Sequence, residues 1–278
     1  MRKIPFFKMN GSGNDFIIID NRENIVAKEI GKLPVENFVQ KTCARGVSVG
    51  ADGLILIEND EKYDFRWKFF NNDGGEVEMC GNGSRCAARF AYLNQIAPLS
   101  MNFVTLAGAI HADITGKDTV KVQLTTPKDY KEIVNLSDVD LKGSFINTGV
   151  PHVVFFVDDV DSIDIKNIGA KVRYHNDFKP AGTNVNFAQI IDKDTIKIRT
   201  YERGVEDETL ACGTGSTAAA LVAALKGYTN TTVSVQTKSN NILKVYADIK
   251  DSKVEKVFLE GDAKLSYIGT MTEEAWSY

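Results

Sequence analysis

An internal repeat constrains this chain more than any other feature of its sequence. Residues 76–93 (EVEMCGNGSRCAARFAYL) align without gaps with residues 208–225 (ETLACGTGSTAAALVAAL), and nine of the eighteen positions are identical. The alternating runs that precede them, 65–75 and 196–204, also correspond in kind. Self-similarity of this kind indicates two halves of related structure, each with one copy of the cysteine loop.

A weaker similarity extends the repeat towards the start of each half. It joins GNDFIII (13–19) to GTNVNFAQII (182–191). Two equal halves around a shared cleft would bring the two equivalent cysteines, Cys80 and Cys212, face to face.

Short runs rich in β-branched and aromatic residues recur along the chain and predict strands. They are FIIID (16–20), GLILI (53–57), FRWKFF (65–70), TVKVQL (119–124), VVFFV (153–157), TIKIRTY (195–201), TVSVQT (232–237) and VEKVFLEG (254–261). Helices are fewer: one is predicted over 35–43, just after Pro34, and two more begin at the cysteine loops.

The helix after the second cysteine has an unusual composition. Residues 217–225 (TAAALVAAL) are apolar almost all round, which is typical of a helix buried on every side. The sequence therefore predicts an α+β fold of two similar lobes, each a mostly antiparallel sheet curled around a central helix. The polar run 128–141 is the best place for an irregular crossing between the lobes.

Composition and charge exclude several classes of protein. The formal net charge is −4 with pI near 5.5, and no basic block would track phosphates, so nucleic acid is not an expected partner. No apolar run reaches the roughly 18 residues of a membrane helix, and the first residues lack the pattern of a signal peptide. We expect a cytoplasmic protein without a membrane partner.

Four cysteines are too sparse for a disulfide scaffold, and none forms the close pair typical of zinc sites. The three histidines, His111, His152 and His175, show no metal-ligand spacing either. We therefore expect no metal. Cys43 and Cys86 have no cysteine at an equivalent position of the repeat and are interpreted as packing residues.

The motif Cys-Gly-x-Gly-Ser before an Ala-rich helix places a cysteine at a helix N-terminus. The first N–H groups of a helix have no intrahelical partner and lie at the positive end of its dipole. This environment is expected to lower the cysteine pKa. The same N–H groups can hold a carboxylate or a developing enolate.

Two such cysteines match the chemistry of stereoinversion. Removing a proton from one face of a carbon and returning one to the other face needs two groups on opposite sides, one a thiolate and the other a thiol. One cysteine alone could be a nucleophile or simply a small buried residue. A nucleophilic mechanism would call for a histidine base, and no histidine is duplicated with the cysteines.

The chain resembles the diaminopimelate epimerase family over nearly its whole length. The matching motifs are KMNGSGNDFIIID (8–20), GADGLILI (50–57), FNNDGGEVEMCGNGSRC (70–86), GVPH (149–152), GTNVNF (182–187) and YERGVEDETLACGTGS (201–216). The resemblance implies Cys80 and Cys212 as the catalytic pair, no pyridoxal phosphate or other cofactor, and interconversion of LL- and meso-diaminopimelate in lysine biosynthesis. It also implies a homodimer.

The resemblance further implies the lobe boundaries and the binding residues. The last segment returns to the first lobe, so the N-terminal lobe is 1–127 plus about 262–278 and the C-terminal lobe is 128–261. His152 and Glu202 are implied to tune the cysteine pKa values. The implied substrate-binding residues are Asn14, Asn71, Gly81, Asn82, Asn184, Glu202, Arg203, Gly213 and Thr214.

These side chains also have simpler explanations, and two positions depart from the family pattern. Asn14 and Asn71 suit turns, Arg203 could be a surface charge, and His152 could be a half-buried structural histidine. Some family members have Asn where this chain has Val150, and some have Gln where it has Gly53. The contacts to the far end of the substrate are therefore less defined.

Three other functions compete with this interpretation. A proline or hydroxyproline racemase would share the fold and the paired cysteines, but it would lack the asparagine motifs and the ERG segment (202–204). A thiol redox protein would usually carry C-x-x-C, which is absent. A non-catalytic ligand-binding module would have little use for two thiolates.

Overall fold

The computed structural model describes residues 2–136, 139 and 141–278. Its contacts divide the chain into two compact units, Met1–Val122 with Gly261–Tyr278, and Gln123–Glu260. The lobe boundaries drawn from the sequence, at residues 127 and 261, stay a prediction.

The first unit contains three α-helices and most of its strands before residue 123. In chain order these elements are β1 (Lys3–Gly11), β2 (Asn14–Asp20), α1 (Ile25–Ile30), α2 (Val35–Cys43), β3 (Gly53–Glu58), β4 (Phe65–Asn71), β5 (Glu76–Val77), α3 (Gly81–Leu93), β6 (Ser100–Thr105), β7 (Gly108–Ile114) and β8 (Thr119–Gln123). Helix α2 has the bounds predicted for it.

The elements of the second unit follow, and the chain then returns to the first. They are β9 (Lys128–Asn135), β10 (Lys142–Asn147), β11 (Pro151–Phe156), α4 (Ile165–Arg173), β12 (Asn184–Ile190), β13 (Thr195–Glu202), β14 (Asp207–Thr209), α5 (Gly213–Leu225), β15 (Thr232–Gln236), β16 (Ile242–Lys250), β17 (Lys253–Asp262) and finally β18 (Lys264–Thr272). Short 3-10 turns lie at Val160–Ser162, Asn176–Phe178 and Glu273–Ala275.

The two units have the same strand order. In the first, hydrogen bonds link β18, β1, β2, β3, β4, β6, β7 and β8 in that order, with β5 paired to β4. In the second they link β9, β10, β11, β12, β13, β15, β16 and β17, with β14 paired to β13.

The strand directions also agree between the units. Strands β1 and β2 of the first unit are antiparallel, as are β10 and β11 of the second. Strands β2 and β3 are parallel, as are β11 and β12. The pairs β4–β6 and β13–β15 are parallel as well, and the others described are antiparallel. This confirms the repeat and the mostly antiparallel α+β class.

The weaker sequence similarity proved wrong as a structural equivalence. It aligned 13–19 with 182–191, but β2 occupies the position of β11, and β12 corresponds to β3. Both aligned segments are Gly-led apolar strands that begin near an Asn, so a short similarity between them does not fix their place in the sheet.

Each sheet curls around one central helix. Helix α3 contacts β1, β2, β3 and β7, and α5 contacts strands from β10 through β16. These strands come from both ends of the respective strand orders, so each sheet must bend around its helix. Residues 217–223 of α5 are buried and residues 224 and 225 are half-buried, so the predicted burial of 217–225 is confirmed for all but the last two residues.

The outer face of each sheet is covered too. Ile17 and Ile19 of β2 pack with the residues of α1 and α2 in one apolar cluster, and Val153 and Phe155 of β11 pack with those of α4 in another. Because both faces are covered, central strands such as β2 are nearly continuous apolar runs rather than alternating ones.

The run 128–141 is not the irregular crossing that its polar sequence predicted. Lys128–Asn135 forms β9, whose residues pair with β10 while nearly all of them remain exposed. An edge strand can carry charged side chains because they remain in contact with solvent. Its sequence is therefore as polar as that of a loop. Residues 137, 138 and 140 of that predicted crossing lie outside the described residues.

The helices of the described residues are short. The longest, α3 and α5, have 13 residues each, and none in the described part of the chain is both long and apolar enough to cross a bilayer.

The first turn of each central helix lies against the inner face of its sheet, but the two contacts differ. A Cβ added at Gly83 would lie 3.4 Å from the Ile55 side chain, which is ordinary contact. A Cβ added at Gly215 would lie 2.4 Å from Oδ1 of Asn186. The helix can therefore approach a polar neighbour in the second unit only because residue 215 lacks a side chain.

We expect Gly215→Ala to lower the free energy of unfolding by about 1–3 kcal/mol, as overpacking usually does. The matched variant Gly83→Ala should be neutral or stabilising by up to about 1 kcal/mol, because alanine favours the helix. Urea denaturation of both variants measures the difference. Equal effects would contradict the unequal packing.

Candidate active site

Each repeated cysteine is the N-cap residue of a central helix, as predicted. Cys80 precedes α3 and Cys212 precedes α5, both with extended backbone. The backbone N–H of Gly83 lies 3.5 Å from the Cys80 sulfur, and that of Gly215 lies 3.4 Å from the Cys212 sulfur. Each sulfur therefore receives one of the N–H groups that the first helical turn leaves without an intrahelical acceptor.

The Cys212 sulfur is not acidified in this structure, which contradicts the expectation for it. Its pKa is raised to about 12, chiefly by burial and to a smaller extent by the negative charge of Glu202. Donors from Thr214 and Gly215 lower it, but by less than burial raises it. Cys212 is only 6% exposed, whereas Cys80 is partly exposed. Cys212 is thus a thiol that holds its proton.

The other two cysteines confirm the packing interpretation. Cys43 and Cys86 are 3% and 0% exposed, and burial raises the pKa of each to about 12.

Strand alternation explains why the polar residues of the second unit lie together. In β11, β12 and β13 the residues Val153, Phe155, Val185, Phe187 and Tyr201 belong to the outer apolar cluster. Since successive side chains point to opposite faces of a strand, the intervening residues point inward, towards α5. They include His152, Asn184, Asn186, Thr200 and Glu202.

Glu202 lies beside the Cys212 thiol. Burial raises the pKa of Glu202, and hydrogen bonds with the side chains of Thr209 and Cys212 offset this only in part. A carboxylate in this position disfavours the Cys212 thiolate, because removing the thiol proton would place two negative charges side by side.

His152 is fully buried and uncharged. Burial lowers its pKa to about 3, with a smaller contribution from the nearby positive charge of Arg203. A neutral imidazole contributes no positive charge to a neighbouring sulfur, so any influence of His152 on a cysteine has to act through a hydrogen bond. The role of His152 in tuning a cysteine pKa stays a prediction.

Asn186 and Thr200 were missed by the sequence interpretation. The Asn186 side chain hydrogen-bonds both the backbone oxygen of Val153 and the Thr200 hydroxyl, and its amide nitrogen lies 3.1 Å from Nδ1 of His152. A usable sequence signal was present: in GTNVNF the second Asn is two residues after the first, so on a strand both face the same side.

In the first unit, a chain of hydrogen bonds holds the loop after Cys80. Nδ2 of Asn82 donates to Oδ1 of Asn14 at 2.7 Å, and Nδ2 of Asn14 donates to Asp52 at 3.0 Å. On its other side Oδ1 of Asn82 accepts from the fully buried Arg85 at 2.9 Å. Two predicted binding residues, Asn14 and Asn82, are thus fixed in orientation by one network.

The remaining predicted binding residues fall into two groups. Asn184 uses its side chain internally: it accepts from the backbone N–H of Arg203 at 2.8 Å and donates to the oxygen of Pro151 at 3.3 Å. The Arg203 guanidinium donates to the oxygen of Ala181. Asn71, by contrast, is exposed at the end of β4.

Gly81 and Gly213 are the first residues of their helices, so their N–H groups have no intrahelical acceptor. The hydroxyl of Thr214 lies 3.5 Å from the Cys212 sulfur. Both loops therefore retain backbone donors next to a sulfur, which is the arrangement that binds a carboxylate or an enolate oxygen.

The position where some relatives have Gln is tightly packed in this chain. A Cβ added at Gly53 would lie 2.6 Å from both the Phe69 ring and the backbone oxygen of Phe70. No side chain fits here without displacing backbone, so the contact made by such a Gln has no counterpart at Gly53. Val150, the other departure, is half-buried just before β11.

The side chains around the two sulfurs differ between the repeated halves. Inward positions of the second unit hold Asn186 and Glu202, whereas Ile55 takes the place of Asn186 beside Gly83 in the first. Conversely, the buried cation Arg85 of the first unit aligns with the uncharged Thr217. In the described part of the chain, no group of three His, Cys, Asp or Glu is placed to hold a metal ion.

Comparison with known proteins identifies the family to which this chain belongs. The family model described as diaminopimelate epimerase matches residues 6–129 and 144–265. The chain belongs to the diaminopimelate epimerase family. The diaminopimelate epimerase of Aquifex aeolicus is 47% identical over 99% of this chain and 100% of its own length. That of a Hydrogenobaculum species is 49% identical over 96% and 98%.

More distant solved structures share the fold. A PhzF-family phenazine biosynthesis protein of Bacillus anthracis has a TM-score of 0.72 at 16% identity, covering 98% of this chain and 100% of its own. A probable proline racemase of Agrobacterium radiobacter has a TM-score of 0.68 at 13% identity, with 99% and 94% covered. This proline racemase is therefore similar to the present chain in fold alone.

We expect Glu202→Gln to lower the pKa of Cys212, because it removes a negative charge that opposes the thiolate. Mass spectrometry of iodoacetamide-treated protein over a pH series measures the alkylation of Cys212. Each pKa unit lost should raise its rate about tenfold at a pH below the pKa. The exposed Glu255→Gln is the matched control. A Cys212 profile equal in both variants would refute the electrostatic link.

Proposed function

We propose that this chain interconverts LL- and meso-2,6-diaminopimelate by moving a proton between two cysteine sulfurs, without pyridoxal phosphate. Membership of the diaminopimelate epimerase family over nearly the whole chain supports this most strongly. The two N-cap cysteines at equivalent positions of the repeat supply the pair of groups that such a reaction needs.

In the proposed cycle, one sulfur removes the α-proton as a thiolate while the other delivers its proton to the opposite face. The proton count is balanced, since one thiol is consumed as another forms. Cys212 holds its proton in this structure, so Cys212 serves first as the acid and Cys80 as the base. The reverse reaction exchanges these roles.

Backbone N–H groups at the two helix starts would stabilise the negative charge that develops on the substrate. We propose that the N–H groups at Gly81–Asn82 and Gly213–Thr214 bind the α-carboxylate as it takes on enolate character. Fixed donors at helix N-termini stabilise such charge without reorganising during the reaction. This arrangement would supply the stabilisation that a cofactor ring provides in other amino-acid epimerases.

The remaining polar groups would bind the far end of the substrate and its ammonium. Arg203 offers a planar donor for a carboxylate, and Glu202 offers an acceptor for the ammonium. Asn14, Asn71 and Asn184 would complete the recognition with amide groups. Asn14 and Asn184 are already oriented by hydrogen bonds within the protein, which reduces the entropy lost on binding.

We expect the purified protein, without added cofactor, to move deuterium from heavy water into the α-position of LL-diaminopimelate, with meso product forming alongside. Cys80→Ala and Cys212→Ala should each reduce epimerisation by orders of magnitude, because each removes one of the two proton-transfer groups. Nuclear magnetic resonance and chiral chromatography measure exchange and product.

Cys43→Ala is the matched control, since Cys43 is a buried thiol outside the repeated loops. Near-normal turnover in either Cys80→Ala or Cys212→Ala would end the two-base scheme. Exchange into proline but not into diaminopimelate would show a different substrate.

We also propose that the chain works in the cytoplasm as a homodimer. A reaction that depends on reduced thiols suits a reducing compartment. The family resemblance supports the dimer. Sedimentation equilibrium should give a mass near twice the 30.7 kDa of one chain, and a mass of one chain at micromolar concentration would contradict it.

A further inference from the structure

The hydrogen bonds around Asn186 determine which nitrogen of His152 carries the proton. The backbone oxygen of Val153 can only accept, and it lies 3.0 Å from the Asn186 side chain, so the atom facing it is the amide nitrogen Nδ2. The amide oxygen correspondingly accepts from the Thr200 hydroxyl at 3.0 Å. These two bonds fix the orientation of the amide group.

The same amide nitrogen lies 3.1 Å from Nδ1 of His152. Nδ2 is a donor, so Nδ1 of His152 has to be the acceptor. A neutral imidazole carries a single proton, which is therefore on Nε2. The charge state is consistent with this, because burial and the cation of Arg203 keep His152 neutral.

Nε2 of His152 has no hydrogen-bond partner among the residues that the structure describes, although the side chain is 0% exposed. Buried donors almost always have an acceptor, because leaving one without a partner is costly. The fully buried Nε2–H group lies on the strand face that also carries Glu202, and it is available to an acceptor that is not part of the described chain.

Packing alone does not require this polar group. At the equivalent positions of the first unit, Ile55 lies against Gly83, and Phe16 pairs in register with Gly53 as His152 pairs with Asn184. Phe16 and Ile55 are 1% and 0% exposed. The fold thus fills the same space with apolar side chains in one half and with an imidazole and an amide in the other.

We propose that Asn186 is a positioning residue that holds His152 as the neutral Nε2–H tautomer, so that this N–H donates a hydrogen bond to an anionic oxygen or sulfur of the reacting complex. The catalytic part of this inference rests on the proposed epimerase function. The tautomer itself does not, and it can be measured separately.

The tautomer is tested on the unmodified full-length protein. The chain has only three histidines, so protein labelled with [15N]histidine gives few signals, and His152→Gln identifies those of residue 152. Two-bond 1H–15N correlations at neutral pH should show Nε2 protonated and Nδ1 bare, unchanged down to about pH 5. A protonated Nδ1 would overturn the proposal.

Asn186→Asp tests the positioning role. A carboxylate in this place accepts from Nδ1 instead of donating to it, so the proton should move to Nδ1, and kcat should fall by at least tenfold with less change in KM. Asn240→Asp adds the same charge at an exposed turn of the same unit and should leave both unchanged. Retention of the Nε2–H pattern in Asn186→Asp, or a kcat equal to the control, would overturn the proposal.

An uncharged variant separates positioning from the effect of added charge and from simple packing. Asn186→Leu removes the donor without adding charge, and kcat should fall severalfold. In a His152→Gln background, where the amide offers an N–H without help from residue 186, Asn186→Leu should cost little more. An equal loss in both backgrounds would indicate packing alone and overturn the proposal. If the wild type failed to epimerise diaminopimelate, the proposed function would be wrong, but the spectra would still test the tautomer of His152 independently.

Discussion

The contact between the first turn of each central helix and the inner face of its curled sheet is the constraint on which the rest of the structure depends. It makes each cysteine an N-cap residue, because the helix must begin where the chain reaches the sheet. It leaves room only for glycine at residue 215. It also places N–H groups that have no intrahelical acceptor beside each sulfur, which is an arrangement that can bind a carboxylate.

Repetition of this contact gives two sulfurs in the same backbone setting, and the surrounding side chains make them different. Two identical thiols would have equal pKa values and would share their protons evenly. The second unit instead places Glu202 beside a buried Cys212, whereas the first places the buried cation Arg85 in the helix that begins after Cys80. Burial and neighbouring charge therefore differ between the two sulfurs, although their backbone setting is the same.

The polar groups beneath the loops are connected rather than isolated. In the first unit, the chain Asp52–Asn14–Asn82–Arg85 links the residue before β3, the start of β2 and helix α3. In the second unit, the group Thr200–Asn186–His152 links β13, β12 and β11. Connected hydrogen bonds of this kind keep buried amides in one orientation, since reversing one amide would break the bonds on both sides. The buried amides of each unit are therefore held in fixed orientations by residues of helices and strands.

Local patterns in the sequence determined much of this protein. The repeat, the buried helix over 217–225, helix α2 and the start of each central helix at a cysteine all follow from short-range composition and spacing. The sequence did not predict edge strand β9, because its exposed charged residues resemble those of a loop. It also did not predict which strands of the two units are equivalent, because 13–19 and 182–191 are alike only locally. Tertiary structure alone decided the pKa shifts of Cys212 and His152 and the hydrogen bonds of Asn186. Those properties depend on burial and on neighbours from other strands, which no run of adjacent residues encodes.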